Sequence, residues 1–97
     1  MALKKYHRKW EGWDYRAIST VYQGKEIVYG VSKSNGSKSE GVEVYSGKNY
    51  DPDSSSASHS NRYDMTDIPK VYKKIVAMLK KAHRKTKWSK NKEVNLN

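Results

Sequence analysis

The stretch KEIVYGVSKSNGSKSEGVEVY, residues 25–45, decides the fold. β-Branched and aromatic residues lie on both sides of Asn35-Gly36, and such residues are enriched in β-strands. Asn-Gly is a strong signal for a two-residue hairpin turn, since both central positions of that turn need a positive φ. The sequence therefore predicts an antiparallel hairpin in which Ser34 lies opposite Ser37.

The turns also predict which side chains share a face of the sheet. Counting outward from the hairpin turn places Tyr29 opposite Val42. A further strand is predicted at residues 13–22. A tight turn at Gln23-Gly24 would place Ile18 of that strand opposite Tyr29. The predicted core face then carries Ile18, Ile27, Tyr29, Val31, Val42 and Val44, and the opposite face carries Trp13, Tyr15, Ala17, Val21, Val28, Gly30 and Tyr45.

A helix is predicted from about Asp67 to Arg84. Thr66 or Asp67 can cap its N-terminus, and Pro69 falls in the first turn, where a missing N–H costs little. Apolar residues recur with helical spacing and form a stripe of Ile68, Val71, Tyr72, Ile75, Val76, Leu79 and Ala82. Packed on the core face, this helix gives an α+β fold: a three-stranded antiparallel β-meander, with a weakly signalled fourth strand at residues 59–63, and one C-terminal amphipathic helix on one face.

The chain has 97 residues, enough for one small domain. Residues 1–12 are predicted to be a basic, aromatic N-terminal arm, and residues 13–85 a single α+β domain. Within that domain, residues 46–64 read as a long polar loop because Pro, Ser and Asp dominate them. Residues 86–97 have no periodicity and are predicted to be a basic, flexible tail.

The formal net charge of +10 is concentrated at the two ends of the chain. Residues 1–10 hold four basic side chains and no acid, and residues 80–97 hold seven basic side chains against one acid. Residues 11–79 hold nine of each and are neutral. Basic ends on a neutral body are typical of proteins that bind a polyanion, although charged ends can also serve solubility alone.

The leading prediction is a non-enzymatic nucleic-acid-binding protein of low sequence specificity, acting on DNA or RNA. Cations would neutralise phosphates, and aromatic rings would stack on bases. An aromatic platform of Trp13, Tyr15 and Tyr45 is predicted on the outer sheet face, with Arg16 and Lys33 nearby on the strands. The predicted binding residues are Lys4, Lys5, Arg8, Lys9, Trp10, Trp13, Tyr15, Arg16, Tyr45, Lys80, Lys81, Arg84, Lys85, Lys87 and Trp88.

The alternative prediction is a small protein–protein interaction module or inhibitor. It would dock on a host protein or a nucleoprotein complex through its outer sheet face and its polar loop, with the basic ends steering association. Small size, the absence of Cys and the many Lys, Tyr and Asn residues suit a bacterial or phage protein. Partner specificity and oligomeric state stay open at this point.

Catalysis, metal binding and cofactors are not expected. The Ser-rich loop offers carboxylates, hydroxyls and one imidazole, but at spacings that match no catalytic or metal motif: Asp51, Asp53, Ser54–Ser56, Ser58, His59 and Ser60. His7, His59 and His83 are too scattered to predict a metal site. The lack of Cys fits a reducing compartment, and no apolar run is long enough for membrane insertion, so a cytoplasmic location is expected.

The predicted architecture resembles two kinds of nucleic-acid-binding domain in outline. These are the arm-binding domains of tyrosine recombinases and the sheet-plus-helix binders of single strands. The stretch WDYRAISTVYQGK, residues 13–25, is similar to an aromatic-basic strand that leads into a turn in such domains. The likeness concerns the fold and assigns no role to any residue.

Overall fold

One antiparallel sheet contains most of the chain in this computed structural model, which describes residues 2–46, 60–88 and 94–96. The strands are β1 (Lys4–Trp10), β2 (Trp13–Tyr22), β3 (Lys25–Ser34), β4 (Ser37–Ser46), β5 (Ser60–Asp64) and the short β6 (Val94–Leu96). Their order across the sheet is β5-β4-β3-β2-β1-β6. A 3-10 turn at Lys70–Tyr72 leads into helix α1 (Lys73–Lys85), which packs on β2 and β3.

The predicted hairpin and its register are confirmed. Ser34 pairs with Ser37 and Tyr29 with Val42, and Ile18 of β2 lies opposite Tyr29. Asn35 and Gly36 have φ values of 45° and 84°, as the two-residue turn requires. The predicted core face is also confirmed, because its residues form one buried cluster with the helix side: Ile18, Ile27, Tyr29, Val31, Val42, Val44, Ile68, Val76 and Leu79.

The prediction of three or four strands undercounts the sheet. The fourth strand is β5, one residue further along the chain than expected, so residues 60–64 do not belong to the predicted loop. Lys4–Trp10, predicted as part of an arm, is strand β1 and pairs along its whole length with β2. A turn at Glu11-Gly12, with φ values of 45° and 81°, connects the two strands. Val94–Leu96, predicted as part of the tail, pairs with β1.

Helix α1 begins later than predicted. Pro69 has an extended backbone with ψ at 141°, so the chain turns only after it, first as the 3-10 turn and then as α1 from Lys73. Neither Thr66 nor Asp67 caps the helix, since Tyr72 occupies the N-cap without a side-chain hydrogen bond. Val71 of the predicted stripe lies in the 3-10 turn and is 56% exposed.

The sheet face opposite α1 has a second, smaller core. Tyr6, Ala17 and Val28 are buried there, with Tyr15 and Tyr45 packed against them. The Glu26 carboxylate is fully buried in the same layer and accepts hydrogen bonds from Tyr6 Oη at 3.1 Å and Ser19 Oγ at 2.7 Å. Burial, with the Glu26 charge, raises the pKa of Tyr6 to about 12. Both faces of the central strands are therefore packed.

Candidate nucleic-acid interface

A row of cations covers the outward side of the segment from Lys70 to Trp88. The sequence from Ile68 to Trp88 contains no acidic residue. Val76 and Leu79 are buried against the sheet, which directs the charged positions of the same helix into solvent. The exposed cations are Lys70, Lys73, Lys74, Lys81, Arg84, Lys85 and Lys87, and we call them the basic helix face.

The basic helix face is largely free of neutralising partners. Lys80, at its margin, has its Nζ 3.8 Å from a carboxylate oxygen of Glu40. In the described ranges 2–46, 60–88 and 94–96, none of the seven exposed cations forms an ion pair with an acidic side chain. Basic side chains in the last turn also interact favourably with the helix dipole, so these charges cost the helix little.

Trp88 closes the C-terminal end of the helix against the sheet. Its indole Nε1 donates to His83 O at 3.3 Å, and its ring centre is 5.0 Å from that of His83. From the sheet, the His7 ring lies 5.8 Å away in an edge-to-face arrangement. The cations of Lys5 and Arg16 each lie 5.8 Å from the ring centre. Trp88, predicted as a stacking residue, is thus half-buried and already in contact with four side chains of the protein.

A hydrogen-bonded network supports the sheet side of this contact. Buried His7 Nε2 lies 2.7 Å from Asp14 Oδ1, and Arg16 Nη2 donates to Asp14 Oδ2 at 3.0 Å. Burial alone would raise the pKa of Asp14, but the hydrogen bonds from His7 and Arg16 outweigh it and hold that pKa below its ordinary value. Arg16, predicted as a binding residue, is therefore positioned by an ion pair beneath Trp88.

His83 connects the helix to the core. Its ring packs edge-on against Tyr29, with the ring centres 5.3 Å apart. Burial lowers the pKa of His83. A hydrogen bond with the Arg16 backbone raises this pKa, whereas the charge of the Arg16 side chain lowers it further. Tyr29 Oη donates to Glu40 Oε2 at 2.7 Å. Hydrogen bonds from Lys38 and Tyr29 lower the pKa of Glu40. Burial, together with the hydrogen bond to Glu40, raises the pKa of Tyr29.

Strand alternation divides the N-terminal cations between the two faces of the sheet. Lys5 and Lys9 lie on the side of α1, and Lys5 Nζ donates to Lys87 O at 3.3 Å. Lys4 and Arg8 lie on the opposite side. Of the four N-terminal cations, only Lys5 and Lys9 therefore lie on the same side of the sheet as α1.

The two tryptophans of the β1–β2 turn lie on the face opposite α1. Trp10 pairs with Trp13 across the strands, and they are 38% and 37% exposed. Arg8 Cζ lies 5.6 Å from the Trp10 ring centre, and Tyr15 contacts the same ring edge-on at 6.2 Å. These exposed rings are separated from the basic helix face by the sheet.

Trp13, Tyr15 and Tyr45 do not form the exposed aromatic platform that the sequence predicts. Tyr15 and Tyr45 are half-buried because they fill the second core. Tyr15 lies over Gly30, where an added Cβ would come within 2.6 Å of Tyr15 Oη. Tyr45 Oη donates to Glu43, and burial and this hydrogen bond raise the pKa of Tyr45. Of the three predicted platform residues, only Trp13 is exposed.

The list of predicted binding residues omits cations that the structure places on the same surface. Lys70, Lys73 and Lys74 belong to the basic helix face. Charge counting at the chain ends misses them, because they balance acids elsewhere in the neutral body. The absence of any acid between Ile68 and Trp88 is the sequence signal that identifies them.

The predicted loop residues from Asp51 to His59 lie outside the described residues. In the described part of the chain, no group of three His, Asp or Glu side chains is placed to hold a metal ion. No helix among the same residues is long and apolar enough to cross a membrane.

Comparison with known proteins gives no relative from which a role could be transferred. No protein-family model, curated protein or solved structure matches this chain.

Proposed function

We propose that the protein binds nucleic acid through the basic helix face. The observation that supports this most is the acid-free segment from Ile68 to Trp88, whose exposed cations lie along the 3-10 turn, helix α1 and the residues that follow it. A polyanion that meets such a row releases its condensed counterions, which is the main source of affinity in sequence-independent binding.

The contact at Trp88 extends this surface onto the sheet. Lys5 lies against the ring and the Lys87 carbonyl, so β1 contributes a cation beside the last turn of the helix. The His7–Asp14–Arg16 network holds the sheet side of the contact in place. On this side of the sheet, Lys5 of β1 thus adds a cation to the surface formed by the basic helix face.

The expected binding is strongly dependent on salt. If about six cations contact phosphates, log K against log salt should have a slope of about −5 on duplex DNA. Affinity should then fall about a thousandfold between roughly 50 and 200 mM salt. Fluorescence anisotropy with labelled DNA and RNA oligonucleotides measures this slope. Binding that does not change with salt, or no binding to any of the oligonucleotides, would contradict the proposal.

A second candidate function is a protein contact at the β1–β2 turn. It is favoured by the exposure of Trp10 and Trp13 on the face that the basic helix face cannot reach. Aromatic residues are enriched at protein interfaces, where they carry much of the binding energy. A photocrosslinking amino acid at position 13 would give a protein adduct that survives nuclease treatment. Adducts that disappear with the nucleic acid would contradict this candidate.

A further inference from the structure

Resting on the proposed function, we infer that the nucleic acid bound by the basic helix face is a duplex, held through its phosphates, rather than a single strand held by base stacking. The inference depends on where the rings and the cations lie relative to each other. Single-strand binders combine a cationic groove with rings on which successive bases stack. In this protein the basic helix face and the two exposed tryptophans, Trp10 and Trp13, lie on different sides of the sheet.

No exposed ring accompanies the cations of α1 in the described residues. Trp88 is the aromatic residue nearest to them at the C-terminal end, and its ring is occupied by His7, His83, Lys5 and Arg16. Trp10 and Trp13 are exposed but project from the opposite sheet face. A strand lying along α1 would have to pass around the edge of the sheet to reach them.

The shape of the cation row also favours a duplex. Helix α1 has 13 residues, so its axis is about 20 Å long at 1.5 Å per residue. Duplex DNA presents one phosphate per about 1.7 Å of its axis, twice the density of one of its strands. A duplex is also straight over this distance without further ordering, whereas a flexible single strand must lose conformational freedom to follow the row.

The predicted mode of binding is insensitive to sequence. Contacts from Lys and Arg to phosphates position a protein on a duplex but carry no sequence information directly. The inference therefore gives the substrate class as double-stranded nucleic acid and assigns no role in binding to the two exposed tryptophans.

The test compares a blunt duplex of about 20 base pairs with an oligo-dT of the same length at one salt concentration, for the native chain and for the Trp10→Ala/Trp13→Ala variant. We expect the duplex to bind about tenfold more tightly, since its charge density is higher. The tryptophan variant should keep both affinities within about twofold of the native values, because in this mode of binding no base stacks on Trp10 or Trp13.

Two results would overturn the inference while leaving the proposed function intact. One is a single strand that binds as tightly as the duplex. The other is a loss of about tenfold or more in the tryptophan variant, with its fold verified by circular dichroism. Polyglutamate serves as a non-nucleic polyanion in the same assay, and if it bound as tightly as the duplex, the proposed function itself would fail.

Discussion

Lys5 and Trp88 are in contact although they lie near opposite ends of the chain: Lys5 Nζ is 5.8 Å from the centre of the Trp88 ring. The same ammonium group donates to Lys87 O, 82 positions further along the sequence. Lys5 belongs to β1 and Trp88 follows α1, so this contact joins the C-terminal end of the helix to the sheet. Helix α1, which carries most of the basic helix face, is therefore fixed to the sheet twice: by its buried residues Val76 and Leu79, and by this contact after its C-terminal end.

Replacing Trp88 by alanine should destabilise the protein. The ring loses its contacts with His7 and His83, and its Nε1 no longer donates to the His83 carbonyl. Because the ring is half-buried, we expect a loss of about 1–3 kcal/mol, below the range for a fully buried Trp. Urea unfolding measures the loss. The control is Trp10→Ala, and an equal loss there would contradict the structural role given to Trp88.

Gly30→Ala should destabilise the protein, whereas Gly41→Ala, on the neighbouring strand, should be tolerated. A Cβ at Gly30 would lie 2.6 Å from Tyr15 Oη and 2.7–2.9 Å from two ring carbons of Tyr15, so the ring would have to move from its position in the second core. At Gly41 the nearest atom is Tyr63 O at 3.7 Å, an ordinary contact. We expect about 1–3 kcal/mol for Gly30→Ala from thermal or urea unfolding.

A double-mutant cycle tests whether the Tyr15 ring is the cause of this loss. In a Tyr15→Ala background the added methyl group meets no ring, so the further cost of Gly30→Ala should be much smaller than in the native chain. Additive effects of the two substitutions would show that Tyr15 does not lie over Gly30.

Glu26→Ala should cost about 2–4 kcal/mol of stability, because two buried hydroxyl groups lose an acceptor. Tyr6 and Ser19 both donate to Glu26 Oε2 in the layer away from the helix. Glu26→Gln keeps an acceptor oxygen and should cost less than half as much. The measurement is the free energy of unfolding in urea for the two variants, and equal losses would argue against the hydrogen bonds as the cause.

Stability should fall as the pH drops from about 7 to 5, in part because of His83. Burial lowers the pKa of His83 below its ordinary value of 6.5, with the Arg16 and Lys33 charges acting in the same direction and that of Glu40 against it. Below pH 6.5 the unfolded chain therefore binds a proton that the folded chain does not yet bind. The contribution of His83 to the free energy of unfolding is complete above pH 6.5, and it is lost as the pH falls towards the pKa of His83 in the folded protein.

The variant that isolates this effect is His83→Gln. It should show a shallower decline in the free energy of unfolding across the same pH range than the native chain shows. Identical pH profiles of the native chain and the variant would exclude His83 as a contributor.

The sequence predicts the three central strands and their register, but it does not predict the strands β1 and β6 at one edge of the sheet. Asn35-Gly36 and Gln23-Gly24 set the register of β2, β3 and β4, because a two-residue turn leaves one pairing only. Strand β1 was missed because its Lys and Arg residues indicate a solvated arm, although Tyr6 and His7 in its middle are buried, one on each face of the sheet. The turn at Glu11-Gly12 was the available signal.

The sequence predicts which parts of the chain carry the positive charge, but it does not predict which cations and rings share a face of the sheet. Counting charges identified the two basic ends, but it could not show that alternation along β1 places Lys4 and Arg8 away from α1. Sequence likewise assigned Trp88 and Tyr15 to stacking on a ligand. Their burial depends on contacts between residues far apart in the chain, with His7 for Trp88 and Gly30 for Tyr15.

The most direct test of the central claim is the salt dependence of duplex binding in two charge-matched variants. One variant removes three cations of the basic helix face (Lys81→Gln, Arg84→Gln and Lys85→Gln), and the other removes three exposed cations elsewhere (Lys25→Gln, Lys38→Gln and Arg62→Gln). If α1 contacts the phosphates, the slope of log K against log salt becomes shallower by about 2.7 in the first variant and stays within about 0.5 of the native slope in the second. Equal changes in the two variants would contradict the claim that α1 is the binding surface.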